Sequence, residues 1–205
     1  MEELSSRSFQ PCYSKIIAHL ERTVTPARFQ HSLRVADMLR RATEESYSID
    51  QDSAIVAGLL HDVAKDLSCK KMLGLIKRFN GYAFWDLPPS CRGHEMYLHG
   101  PAGAVIARRS LRVCDHSILR AITTHTGCYP DMGPLARMLH IADFAEPGRD
   151  VPERDEVERL LFLKDLDSAE LIIARWIVRD FPSMDIPLHP FYGQKILNLS
   201  RSPTV

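Results

Sequence analysis

Residues 53 to 65, "SAIVAGLLHDVAK", are apolar on almost every side up to Leu60 and then turn polar at His61, Asp62 and Lys65, with Asp66 following. A helix that is apolar all round must be covered on all sides. This stretch therefore predicts a central helix inside a bundle, with polar groups at its end that a plain core would not tolerate. With 205 residues and 45% hydrophobic content, the chain can bury such a core within a single domain.

The rest of the chain fits that plan. Apolar residues recur at helical spacing between proline and glycine breaks, with no strand alternation and no internal repeat, so the expected class is all-α. Helices are expected over residues 10–22, and over "TPARFQHSLRVADMLRRAT" with Thr25 as N-cap and Pro26 at the first helical position. Asp52 or Ser53 is the expected cap of the central helix, and Ser68 that of "CKKMLGLIKRF", which Asn80 and Gly81 stop. Residues 81–93, with two prolines and no period, read as a loop. Another helix is expected to open after "LHGPAGA" with Pro101 near its first turn. "HSILRAITTH" and "PLARMLHIADFAE" follow as helices, then one or two amphipathic helices over residues 154–181 and a short one at "GQKILNLS". The expected division is an N-terminal helix in 1–24, a core in 25–150 and C-terminal helices packed on it in 151–205.

The 26 basic and 26 acidic residues cancel, which gives no whole-chain argument for a nucleic-acid polymer or a membrane as partner. Five scattered cysteines, without a C-x-x-C pair, fit a reducing cytoplasm. No stretch reaches the roughly 18 apolar residues of a membrane span.

His31 lies mid-helix, His61 and Asp62 end the central helix, His99 is expected just before a helix, His125 ends one, and Asp143 sits in the apolar "IADF". A buried ionised aspartate is costly unless it is paired or bound to a cation. Two of them, Asp62 and Asp143, ask for a common partner, and a divalent metal would satisfy both. Imidazole with carboxylate suits iron, manganese, zinc or cobalt, and the lack of clustered thiolates argues against a structural zinc site.

Together, His31, the pair His61-Asp62 and the distant Asp143 resemble the H...HD...D signature of the HD-domain metal-dependent phosphohydrolases, an all-helical superfamily. The blocks "RFQHSLRVA", "AGLLHDVAKD", "LHGPAGA", "AITTHT" and "LHIADFAEPGRD" are similar to those of its bacterial YqeK-type group, over residues 28 to 150. That group hydrolyses diadenosine tetraphosphate symmetrically to two ADP. The resemblance implies His31, His61, Asp62 and Asp143 as ligands of a divalent metal, iron first and manganese, cobalt or zinc as alternatives. His99 and His125 would hold a second ion or face the phosphates, so one or two ions are open. It further implies Arg149 and Thr126 at the substrate, Lys65 offsetting phosphate charge, and metal-bound hydroxide as nucleophile attacking an inner phosphorus. Asp62 or Asp66 would orient or deprotonate the water. The partner implied is a small dinucleotide or nucleotide, with a homodimer left open.

The chain departs from the group at Gly127, Cys128 and Gly133, beside the ligands, and "HPFYGQKIL" matches its tail only loosely. His94 reads as a loop residue, His19, His116, His140 and His189 as structural, and Trp85 and Trp176 as packing residues. The alternatives are an HD enzyme acting on a nucleoside monophosphate, a dNTP or a guanosine alarmone, and a catalytically silent nucleotide-binding HD module.

Overall fold

The central helix is α3 (Gln51–Leu60), in which Ala54, Val56, Ala57, Gly58, Leu59 and Leu60 are all buried. The computed structural model describes residues 13–45, 47–79, 90–127 and 129–199. α3 packs against α1 (Tyr13–Thr23), α2 (Pro26–Glu45), α6 (His116–Thr124) and α7 (Pro134–Ala145), while α4 (Cys69–Phe79) packs on α5 (Glu95–Ser110) and α5 on α6. Then come α8 (Arg154–Phe162), α9 (Leu166–Asp180), a 3-10 turn (Phe181–Met184) and α10 (Pro190–Leu199). The described residues contain no strand, and the all-α single domain is the observed class. No helix among them is long and apolar enough to cross a membrane.

Small residues set how closely the helices pack. A Cβ on Gly58 would lie 2.7 Å from the Ala36 Cα, so α2 and α3 meet backbone to backbone. One on Gly100 would lie 2.6 Å from the Thr123 carbonyl oxygen, which sets the α5–α6 crossing in the same way. One continuous core runs through α1 to α3 and α5 to α9 with Tyr192 of α10, and a second cluster of Met72, Ile76, Cys91, Tyr97, Leu98 and Tyr129 lies under α4 and α5.

Three boundaries differ from the sequence reading. The cap of α3 is Asp50, which accepts from the Ser53 N–H at 2.8 Å and the Ser53 hydroxyl at 2.7 Å, so Ser53 is the partner of the cap. α3 stops at Leu60, because the His61 ring donates Nδ1–H to the Gly58 carbonyl at 2.7 Å and occupies an oxygen that the next helical N–H would use. The following segment instead makes tight turns, with Lys65 N–H on Asp62 O and Leu67 N–H on Ala64 O. α5 opens at Glu95, six residues before Pro101, because His94 caps it by accepting from the Met96 N–H at 3.2 Å. Pro101 thus lies inside a helix, against the expectation that it would mark the start, and His99 is helical. The expected stop at Asn80 and Gly81 and the loop over 81–89, with Trp85, lie outside the described residues.

Candidate metal and phosphate site

Five segments converge at one end of α3. α2 brings Arg28, His31 and Arg34, and the turns after α3 bring His61, Asp62 and Lys65. α5 brings His99, the end of α6 brings His125, and α7 with the turn after it brings His140, Asp143, Glu146 and Arg149. The ring nitrogens meet in pairs: His31 Nε2 is 3.1 Å from His61 Nε2, and His99 Nε2 is 3.0 Å from His125 Nε2. Asp62 stands between the pairs. Its Oδ2 lies 3.9 Å from His31 Nε2 and 3.8 Å from His61 Nε2, while its Oδ1 lies 3.1 Å from His99 Nε2 and 3.8 Å from His125 Nε2. Asp143 Oδ1 closes the first pair, 3.0 Å from His31 Nε2.

The outer edge of each ring shows which nitrogen is left for chemistry. His61, His99 and His125 direct Nδ1 to the backbone carbonyls of Gly58, Glu95 and Ile122 at 2.7, 3.1 and 2.8 Å, and His31 directs Nδ1 to the Glu146 carboxylate at 3.1 Å. Carbonyls and carboxylates only accept, so each Nδ1 carries the proton, and a neutral ring turns its Nε2 lone pair inward. Facing lone pairs at 3 Å repel unless a proton or a cation lies between them. The buried Asp62 Oδ1 also has no hydrogen-bond partner. Among the described residues, two sets of ligand atoms are close enough to hold an ion: His31, His61 and Asp143, and His61, Asp62 and His125. The donor set fits a divalent transition metal, with each Nδ1–H anchored as in known metal sites.

Burial pushes the Asp62 carboxyl up, but Lys65, His61 and the neighbouring His125 and His99 rings outweigh it and hold the group well below the carboxylate range. Asp143 is held low in the same way, burial being overcome by Arg149 and the His31 and His61 rings. Burial, helped by the Lys65 charge, lowers His99 to about 3, and burial also lowers His125. His61 is raised because Asp62 and Asp143 outweigh its burial. The cluster thus combines ionised carboxylates with two rings that resist protonation, a set in which protons and metal ions compete for one place.

The structure brings His31, His61, Asp62, His99, His125 and Asp143 together. Lys65 Nζ reaches to 3.2 Å from His99 Nε2, with burial lowering its pKa against the pull of Asp62. Arg149 binds the Asp143 carboxylate at 2.6 Å. Thr126 lines the cavity beyond His125, and its carbonyl accepts from the Tyr192 hydroxyl at 2.7 Å. Asp66 stands apart from the rings: it accepts from the Thr25 N–H at 2.8 Å and from Arg28 Nε at 3.0 Å, which ties the start of α2 to the turn after α3.

Three participants were missed in the sequence. Arg28 donates Nη1 to Asp62 Oδ2 at 2.6 Å, and its position three residues before His31 on one helical face was the available signal. Glu146, three residues after Asp143, holds His31 from behind. His140 donates Nδ1–H to the His125 carbonyl at 2.6 Å and lines the cavity.

The cavity above the cluster measures about 530 Å3. Its polar floor is formed by Arg28, His31, Asp62, Lys65, His125, Asp143 and Arg149, and its wall by Phe144, Trp176, Ile177, Phe181, Ile186 and Tyr192. Trp176 packs edge-on against both Phe144 and Phe181, so it is a packing residue that also faces the cavity.

His189 lies outside the cluster, its ring among Tyr97, Tyr129 and Phe191 and its buried Nε2 without a hydrogen-bond partner. Burial pushes it down to about 4 from 6.5. The unfolded chain then takes up a proton that the folded one refuses, so this site leaves stability intact above about pH 6.5 and erodes it as pH falls toward about 4. His189→Phe is expected to regain on the order of 2 kcal/mol at pH 4.5 relative to pH 7.5, read by denaturant unfolding at both pH values. An equal change at the two pH values would contradict this.

Among known proteins, the HD domain family matches residues 28–172. The symmetrical bis(5'-nucleosyl)-tetraphosphatase of Bacillus subtilis (strain 168) is 31% identical over 145 residues, covering 70% of this chain and 74% of that protein. The protein of the same description in Staphylococcus aureus is 32% identical over 136 residues, 66% of each. A crystal structure from Clostridium acetobutylicum, described as a predicted HD superfamily hydrolase involved in NAD metabolism, superposes with a TM-score of 0.82 at 31% identity. It covers 93% of this chain and 98% of that one. With the family's matched region containing every histidine and aspartate of the cluster, this chain belongs to the HD-domain family.

Proposed function

We propose that this protein hydrolyses diadenosine tetraphosphate symmetrically, releasing two ADP, with a divalent metal, iron first among the alternatives, held by His31, His61, Asp62 and Asp143. The observation that carries the reading is Asp62, whose two oxygens face two separate pairs of imidazole Nε2 atoms. His99 and His125, on the other side of Asp62, would hold a second ion. Bound there, such metals supply Lewis acidity and a water activated near neutral pH.

The chain's own residues supply the remainder. Lys65, Arg28 and Arg149 place three positive charges around the cavity floor, where they neutralise the phosphates of the substrate. Arg28 and Arg149 rest on Asp62 and Asp143. Arg28 also keeps Nε on Asp66 and Arg149 keeps Nε on the Asp143 carbonyl, which holds both guanidinium groups over the floor for phosphate oxygens. The cavity volume falls within the roughly 300–1,000 Å3 of small-molecule sites. Its aromatic wall, supplied by α7, α9 and α10, seats a nucleoside, and Thr126 adds a hydroxyl at the boundary between wall and floor. The activity for which the Bacillus subtilis and Staphylococcus aureus relatives are named agrees with this reading.

Chromatography of the products from diadenosine tetraphosphate, with iron, manganese, cobalt or no added metal, tests it. ADP as the sole product, formed only with metal, is the expected result. AMP and ATP would move the cleaved bond, and binding without turnover would favour the regulatory alternative.

A further inference from the structure

We infer that Glu146 is a positioning residue for the metal site: it sets the ring of His31 from the side opposite the ion, and Arg34 holds Glu146 in place. The inference rests on the metal reading of the cluster. Glu146 is only 1% exposed, a costly location for a carboxylate. Its Oε1 lies 3.1 Å from His31 Nδ1, and its Oε2 accepts from Arg34 Nε and from the Gly148 N–H at 2.7 Å. Arg34 Nη2 also reaches Oε1 at 3.3 Å.

A tie between α2 and the turn after α7 would need only Glu146 and Arg34. The third partner is a ring nitrogen whose opposite face meets His61 and Asp143. A carboxylate at Nδ1–H keeps the proton there, turns the Nε2 lone pair inward and makes it a stronger donor. Arg34 offsets the carboxylate charge, and its side chain is 38% exposed, so it can be replaced without opening the core. Gly148 leaves the guanidinium its space, since a Cβ there would lie 2.4 Å from Arg34 Nη2.

The test uses the full-length protein stripped of metal and titrated with cobalt(II) against a competing chelator, with the visible absorption recorded. Glu146→Gln is isosteric and removes the charge, and Arg34→Met removes the support. We expect Glu146→Gln to weaken cobalt affinity by roughly 10–100-fold and to alter the absorption bands, with a smaller loss in Arg34→Met. Thermal melting of the metal-free variants should match that of the wild type. Wild-type affinity and spectrum in Glu146→Gln would overturn the inference. So would a loss of affinity that merely follows unfolding of the metal-free variants, which would make Glu146 a structural tie. A wild-type protein that binds no cobalt would overturn the metal reading itself, a result distinct from failure in the variants alone.

Discussion

Asp62→Ala is expected to lower turnover of diadenosine tetraphosphate by roughly 1,000-fold or more, while the protein remains folded. The size follows from several kcal/mol of metal-derived stabilisation lost at about 1.4 kcal/mol per decade of rate. Among the described residues, Asp62 is the one carboxylate that faces both pairs of rings. Removing it also leaves Arg28 with Asp66 alone and takes the nearby carboxylate from Lys65, which raises the positive potential against the histidines. Bound metal should therefore fall together with rate, measured as metal retained after gel filtration beside single-turnover kinetics. Circular dichroism at wild-type intensity would separate this from unfolding. Turnover within a few-fold of wild type would sink the assignment of Asp62.

Gly58→Ala is the second large effect, and it acts on fold and site together. The added methyl would sit 2.7 Å from the Ala36 Cα and 2.9 Å from its nitrogen, both backbone atoms that cannot rotate away. α2 and α3 must separate, at a cost of about 1–3 kcal/mol for overpacking. For a chain of this size each kcal/mol lowers the melting temperature by roughly 2–4 °C. α2 carries His31, and the end of α3 carries His61, whose ring is anchored to the Gly58 carbonyl itself. Metal affinity should fall along with melting temperature. A variant that melts like the wild type and binds metal normally would show that the helix pair gives way more easily than its backbone contact implies.

Much of this architecture was legible before any coordinates. The all-apolar face of residues 53–60 required a covered helix, and the structure buries Ala54, Val56 and Leu60 completely. The polar residues that such a helix should not end on, His61 and Asp62, marked the site. What remained unreadable was decided by hydrogen bonds that spacing does not show. The His61 ring takes the Gly58 carbonyl and ends α3 early. The His94 ring caps α5 ahead of a proline that reads as a start signal. Asp66 shares the motif of Asp62 and Lys65 and reads as one of their group, yet the turn after α3 swings it to Thr25 and Arg28.

The sequence alone determined the class of fold and the chemical character of the site, because burial of apolar periodicity and the cost of isolated buried charge are properties of residue order. Only the tertiary structure decided which nitrogen of each histidine is available, that Asp62 stands between two ring pairs, and that Arg28 and Glu146 complete the arrangement. Those facts depend on contacts across 30 to 115 positions of chain, such as His31 with His61 and with Glu146. Distances of that kind are set by how helices pack, through close approaches such as Gly58 on Ala36, and no local pattern encodes them.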